Sequence, residues 1–168
     1  MKRAITALSC IACLGAAIQS QPAAPLRLIQ TLLDRKTRQL ISTWDVPDAT
    51  ENVPMAFDEP GHRLFVGTRT PGRLVVLNSD TGKVVASLPA AGGGDDLTYD
   101  TAHKRIYLSA GDGFVNVYEQ KTPDAYEALA QIPTGPGARN SRFVPEQNRL
   151  YVAVPAGKDG KPAEVQIY

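Results

Sequence analysis

FDEPGHRLFV, residues 57–66, returns twice further along the chain, as YDTAHKRIYL at 99–108 and FVPEQNRLYV at 143–152. Each copy opens on an aromatic residue, places an Arg six positions later and closes on an aliphatic–aromatic–aliphatic triplet. The triplets are Leu64-Phe65-Val66, Ile106-Tyr107-Leu108 and Leu150-Tyr151-Val152. Apolar residues on both sides of a polar segment that begins with Asp or contains Pro-Gly predict two short strands joined by a tight turn. Arg63 and Arg105 are 42 residues apart, and Arg105 and Arg149 are 44 apart. A period of roughly 40–50 residues is that of propeller blades.

The segments between the copies complete the unit. A third strand is expected at Leu74–Leu77, Phe114–Tyr118 and Val165–Tyr168, and a fourth at Lys83–Leu88 and Ala128–Ile132. Four short strands per repeat is the blade pattern. Upstream, DRKTRQLISTW (34–44) aligns with NSDTGKVVASL (78–88), so a partial blade precedes the first full one. The expected blade units are about 31–52, 53–94, 95–138 and 139–168, after a linker and leading strand at 21–30. Twelve strands, closed by pairing the first with the last, would make about three four-stranded blades, fewer than the four of the smallest usual propeller. The expectation is therefore an all-β chain forming a β-propeller with an incomplete ring. Its open edges would invite self-association, because unpaired strand edges are templates for another chain.

The triplets resemble those of the YncE-like, YVTN-type β-propeller family, together with Leu74-Val75-Val76-Leu77-Asn78, the Asp80-Thr81-Gly82-Lys83-Val84-Val85 turn and strand, and Asn148-Arg149-Leu150-Tyr151-Val152. The resemblance spans about residues 31–168. It implies a blade scaffold and names no catalytic site. Propellers of that family usually close with seven blades, and this chain departs from that pattern.

Residues 1–20 read as a secretory signal: Lys2 and Arg3 precede an apolar run from Ala4 to Ile18, with a small residue, Ser20, at the cleavage end. The run is shorter than the roughly 20 residues of a membrane span. The expected location is therefore periplasmic or secreted, with no transmembrane helix in the mature chain. A lipoprotein reading, with Cys13 carrying the lipid after Cys10-Ile11-Ala12, is the alternative. Cys10 and Cys13 both lie in this segment, so its removal leaves neither a disulfide nor a thiolate metal site. The formal net charge of +1 gives no broad pull toward nucleic acid or anionic membranes.

Loops entering the innermost strands of a propeller open at one end of its channel, so their polar residues converge there. Those residues are Glu51 and Asn52, then Asp95 and Asp96, then Arg139, Asn140 and Arg142. Carboxylates, amides and guanidinium groups together suit a small polar ligand or a hard cation, which needs oxygen donors. The bland alternative is that Asp95 and Asp96 only satisfy a Gly-rich turn. Gly92-Gly93-Gly94 lacks the Lys-Ser/Thr of a phosphate-cradling loop and reads as a flexible turn. His62 and His103 read as exposed turn residues. Arg63, Arg105 and Arg149 are each expected to pair with a neighbouring turn or the next blade's acid. Phe57, Tyr99 and Phe143 are expected in the core.

No Gly-x-Ser-x-Gly elbow or His-Glu-x-x-His helix occurs. The leading expectation is a non-enzymatic ligand- or protein-binding scaffold without a cofactor, using Asn52, Asp95, Asp96, Arg139, Asn140 and Arg142. The alternatives are a metal-dependent lactonase-like hydrolase, with Glu51, Asn52, Asp95 and Asp96 as ligands, and a non-functional fragment of a longer propeller.

Overall fold

The computed structural model describes residues 29–33 and 36–168. The expected signal segment, the lipid-bearing Cys13 and residues 21–28 of the linker lie outside the described residues. The repeat is realised as three meandering antiparallel sheets. Strands β3 (Asn52–Asp58), β4 (Arg63–Arg69), β5 (Gly72–Asn78) and β6 (Val84–Pro89) form the first. Strands β7 (Gly94–Asp100), β8 (Arg105–Ala110), β9 (Phe114–Thr122) and β10 (Ala125–Pro133) form the second. Strands β11 (Asn140–Val144), β12 (Arg149–Val154) and β13 (Glu164–Ile167) form the third. Inner strand β7 runs beside both β3 and β11, so the sheets succeed one another as blades around a common edge.

The hairpins turn through a shared backbone device. His62, Lys104 and Asn148, each directly before the repeated Arg, have φ values of 52°, 55° and 49°. That left-handed conformation closes the turn and aims the Arg into β4, β8 or β12. In the third hairpin a short 3-10 turn at Pro145–Gln147 precedes it.

Period-2 alternation makes both faces of a middle blade apolar, and each face is buried against a different neighbour. Phe65, Leu74 and Val76 of the first blade pack on Leu97, Ile106 and Leu108 of the second. Val115 and Val117 of the second pack on Phe143, Leu150 and Val152 of the third. An aromatic pair marks each interface: Phe65 meets Tyr99 at 4.9 Å between ring centroids, and Tyr107 stacks on Phe143 at 5.3 Å. Such pairs contribute roughly 0.5–1.5 kcal/mol beyond the area they bury. The first interface closes tightly because Gly67 and Gly94 carry no side chain. A Cβ at Gly67 would lie 2.6 Å from Pro54 Cγ and 2.7 Å from Leu108 Cδ1, and one at Gly94 would lie 3.1 Å from the Thr68 carbonyl. Gly94 is thus a buried residue of β7 and not part of a flexible turn.

The ring is open, as expected: β1 (Ile29–Leu33) pairs with β2 (Leu40–Asp45), and among the described residues β13 pairs with β12 alone. The two-stranded sheet β1–β2 and the strap that follows it cover part of the first blade: Trp44 rests on Gly82, and Val46 is buried with Val66, Val75 and Leu77, while Leu40 and Ile41 stay exposed. Two expectations about burial are corrected. Phe57 is 49% exposed, because among the described residues no blade precedes β3 to set a hairpin aromatic against it. Of the three repeated arginines only Arg63 is buried. It donates to the Gly61, His62 and Pro123 carbonyls and pairs with Asp124 at 2.6 Å, in the second blade's outer hairpin. Arg105 and Arg149 are exposed: among the described residues the third sheet, of three strands, offers Arg105 no outer hairpin like the one that holds Arg63.

Leu108 is fully buried at the first interface. Leu108→Ala is expected to destabilise the fold by about 2–5 kcal/mol, the range for deleting core methyl groups. Glu146→Ala, at an exposed residue of the short turn, should cost less than about 0.5 kcal/mol. Urea unfolding of both variants checks the contrast.

Candidate functional site

The starts of β3, β7 and β11 lie at the same end of the blades as the β4–β5, β8–β9 and β12–β13 connections. Backbone hydrogen bonds tie these loops from blade to blade. Gly93 N–H donates to the Arg69 carbonyl at 3.2 Å, Gly111 N–H to Gly93 at 2.8 Å and Gly137 N–H to Gly111 at 2.7 Å. The strap joins on the other side, where Arg69 N–H donates to the Glu51 carbonyl at 2.8 Å.

On that frame Asp95 sits between two guanidinium groups. Arg69 Nη2 donates to Asp95 Oδ1, Arg69 Nε donates to the Gly94 carbonyl at 3.3 Å, and Arg139 Nε lies 4.0 Å from Asp95 Oδ2. Glu51 Oε2 approaches Arg69 at 3.8 Å. Asp96 points to the third blade and accepts the Ser141 N–H at 2.9 Å; Ser109 donates to Ser141 Oγ beside it at 2.8 Å. Asn52 and Asn140 begin β3 and β11 opposite Thr68 and Ala153 without joining the arginine–aspartate cluster. Arg142 lies further along β11, opposite Tyr151, and is exposed on the free face of the third blade.

Sequence reasoning therefore gathers Glu51, Asp95 and Arg139 correctly at one end but misses Arg69, the residue that organises them. Arg69 has no counterpart in the later repeats, where Gly111 follows β8, so the periodicity carries no signal for it. The two carboxylates are committed to guanidinium and backbone donors. Among the described residues no three His, Cys, Asp or Glu side chains converge as a metal site would need.

A groove of about 830 Å³ opens between Thr134–Pro136 and the long connection from Pro155 to Pro162. Lys158, Lys161, Asp159 and Glu164 are its charged lining. Asp159 is held below the ordinary carboxylate range by hydrogen bonds from Lys161, whose ammonium lies 3.2 Å away.

The opposite end of the blades carries a buried polar network. Gln120 donates to Asp58 Oδ2 at 3.0 Å and to the Tyr126 hydroxyl at 3.2 Å, and accepts from Tyr99. Burial, with the Asp58 and Asp100 carboxylates beside it, pushes the Tyr99 hydroxyl up to about 12; burial pushes Tyr126 to about 12 as well. His62 and His103 are solvated there, their Nδ1 atoms 3.0 Å from Asp80 and 2.6 Å from Asp100.

No family model matches the sequence, and no curated protein matches it. Solved structures do. The chain is similar to Kuenenia stuttgartiensis hydrazine synthase with a TM-score of 0.68 at 13% identity, over 83% of this chain and 43% of that one. It is similar to the computationally designed Ika4 protein with a TM-score of 0.63 at 18% identity, over 83% of this chain and 78% of that one. A chain of the mitotic checkpoint complex aligns with a TM-score of 0.55 at 17% identity, over 73% of this chain and 41% of that one. The chain thus spans less than half the length of the first and third of these. At such identities the likeness concerns fold alone, and the fold it supports is an open, incomplete β-propeller.

Two outcomes follow. Asp95→Ala is expected to cost about 1–3 kcal/mol of stability, since it leaves Arg69 without its charged acceptor at a blade junction; thermal unfolding measures it. The raised tyrosines set a high-pH limit. Unfolded tyrosines lose their protons near pH 10, before the folded ones do near 12, so stability should hold to about pH 9 and fall between about 10 and 12. Tyr99→Phe should make that fall shallower in denaturant titrations at each pH.

Proposed function

We propose that the chain is an exported, non-enzymatic binding module of YncE-like, YVTN type, which takes an anionic ligand or a protein's acidic segment at the loop end of its blades. The observation that carries this reading is the groove between Thr134–Pro136 and the β12–β13 connection, with Lys158 and Lys161 in its wall. Arg139 is about half exposed and only 4.0 Å from Asp95, a carboxylate already satisfied by Arg69. Asp95, Asp96 and Asp159 are each held by donors within the chain, whereas Arg139 and Lys158 face solvent, so donor capacity is left over at these two side chains. Donors of this kind recognise carboxylates, which pair bidentately with guanidinium. Export rests on the Lys2-Arg3 start and the apolar run from Ala4 to Ile18.

Chemical-shift titration of the amides with glucuronate, citrate and neutral glucose tests the reading. The anionic probes should move Gly135, Gly157 and Lys158, glucose should not, and Arg139→Glu with Lys158→Glu should weaken binding at least 10-fold. Equal response to glucose, or shifts confined to the opposite end of the blades, would overturn it. Metal-dependent turnover of a panel of sugar lactones would overturn the non-enzymatic assignment.

A further inference from the structure

The repeat defines what each blade presents to the next. On its forward face a blade offers the triplet aromatic and two apolar residues of the third strand: Phe65, Val76 and Leu74 in the first, Tyr107, Val117 and Val115 in the second. On its rear face it offers the aromatic of its inner strand, Tyr99 in the second blade and Phe143 in the third. At both internal interfaces the forward aromatic meets the rear one, and the flanking third-strand residues are buried.

The two ends of the described array carry the unmatched halves of a third such contact. Tyr151, opposite Ile167, and Ala153, opposite Val165, reproduce the forward face, yet Ile167 is 57% and Val165 63% exposed. Phe57 reproduces the rear aromatic and is 49% exposed, with Met55 beside it 52% exposed. The strap covers Val66, Val75 and Leu77 behind it but leaves the inner strand bare. Leaving a Phe unburied forgoes roughly 1.5–3 kcal/mol.

We propose that these two faces bind each other between two copies of the chain, Tyr151 of one copy stacking on Phe57 of the next. The contact is head-to-tail, so it either closes into a ring or runs on as a filament. Three sheets from each of two copies give six blades, inside the usual range of four to eight, and two equivalent contacts close such a ring without leaving a forward or rear face bare. The occupant is a second copy because its forward face is built on the same pattern that already fits this rear face twice within one chain. Strand β13 is the third of its sheet and β1 pairs with β2 in a sheet of two, so in the composite blade β1 yields its place beside β2 to β13 of the other copy. The inference concerns the ends of the array and is independent of the loop-end groove.

The test is the solution mass of the full chain, and of two charge variants alone and mixed. Both Phe57→Lys and Tyr151→Lys alter side chains outside the two buried interfaces, and unchanged circular dichroism and unfolding midpoints of the monomers verify that each still folds. The wild-type chain, 18.0 kDa as a monomer, should sediment as a dimer. Each variant alone should be monomeric at concentrations at least 10-fold above the wild-type dissociation constant. A mixture of the two should recover a heterodimer, because Tyr151 of the Phe57→Lys chain still meets Phe57 of the Tyr151→Lys chain. A monomeric wild type, mass growing without limit, or a mixture no more associated than its components would overturn the proposal; the last would mean that another protein, or an isologous contact, covers these faces.

Discussion

A four-stranded sheet of about forty residues has two apolar faces and cannot hide either by itself. The structure depends on the contact that solves this, an inner-strand aromatic resting on the hairpin aromatic of the sheet before it. Around that contact the third-strand valines and leucines become buried, and Gly67 and Gly94 allow the backbones to close on Leu108. Hydrogen bonds within each sheet define the blades, whereas apolar packing between sheets holds them in series. Polar ties then trim the two ends, with Arg63 reaching Asp124 at one and Arg69, Asp95 and Arg139 at the other.

The blades were legible because alternation and turn chemistry are local, and three copies made the period visible. Burial was less legible. Phe57, Tyr99 and Phe143 occupy equivalent places in sequence, but only the latter two have a sheet in front of them; exposure belongs to the neighbour and cannot be read from the residue's own surroundings. The same reason separates Arg63 from Arg105 and Arg149. The residues from Asp45 to Ala49 follow the stretch 34–44 that aligns with 78–88, and the packing of Trp44 on Gly82 and of Val46 on Val66 is a tertiary solution to an otherwise open face.

At the loop end, sequence position brought the correct acids and one correct arginine to the same place, because loops into inner strands must converge. What it could not give was the division of labour among them. Arg69 takes Asp95 and the Ser141 amide takes Asp96, while Glu51 and Arg139 stay about half exposed at the rim. A set of residues that reads as a mixed polar site in sequence is therefore, in the structure, first of all an inter-blade junction.

The central claim is that the three sheets are separate and joined by their faces. Nuclear Overhauser contacts in the chain test it directly. The account predicts ring-to-ring contacts between Phe65 and Tyr99 and between Tyr107 and Phe143, with no cross-strand amide ladder between β6 and β7. A continuous ladder from β6 into β7, or the absence of both ring contacts in the folded chain, would contradict it.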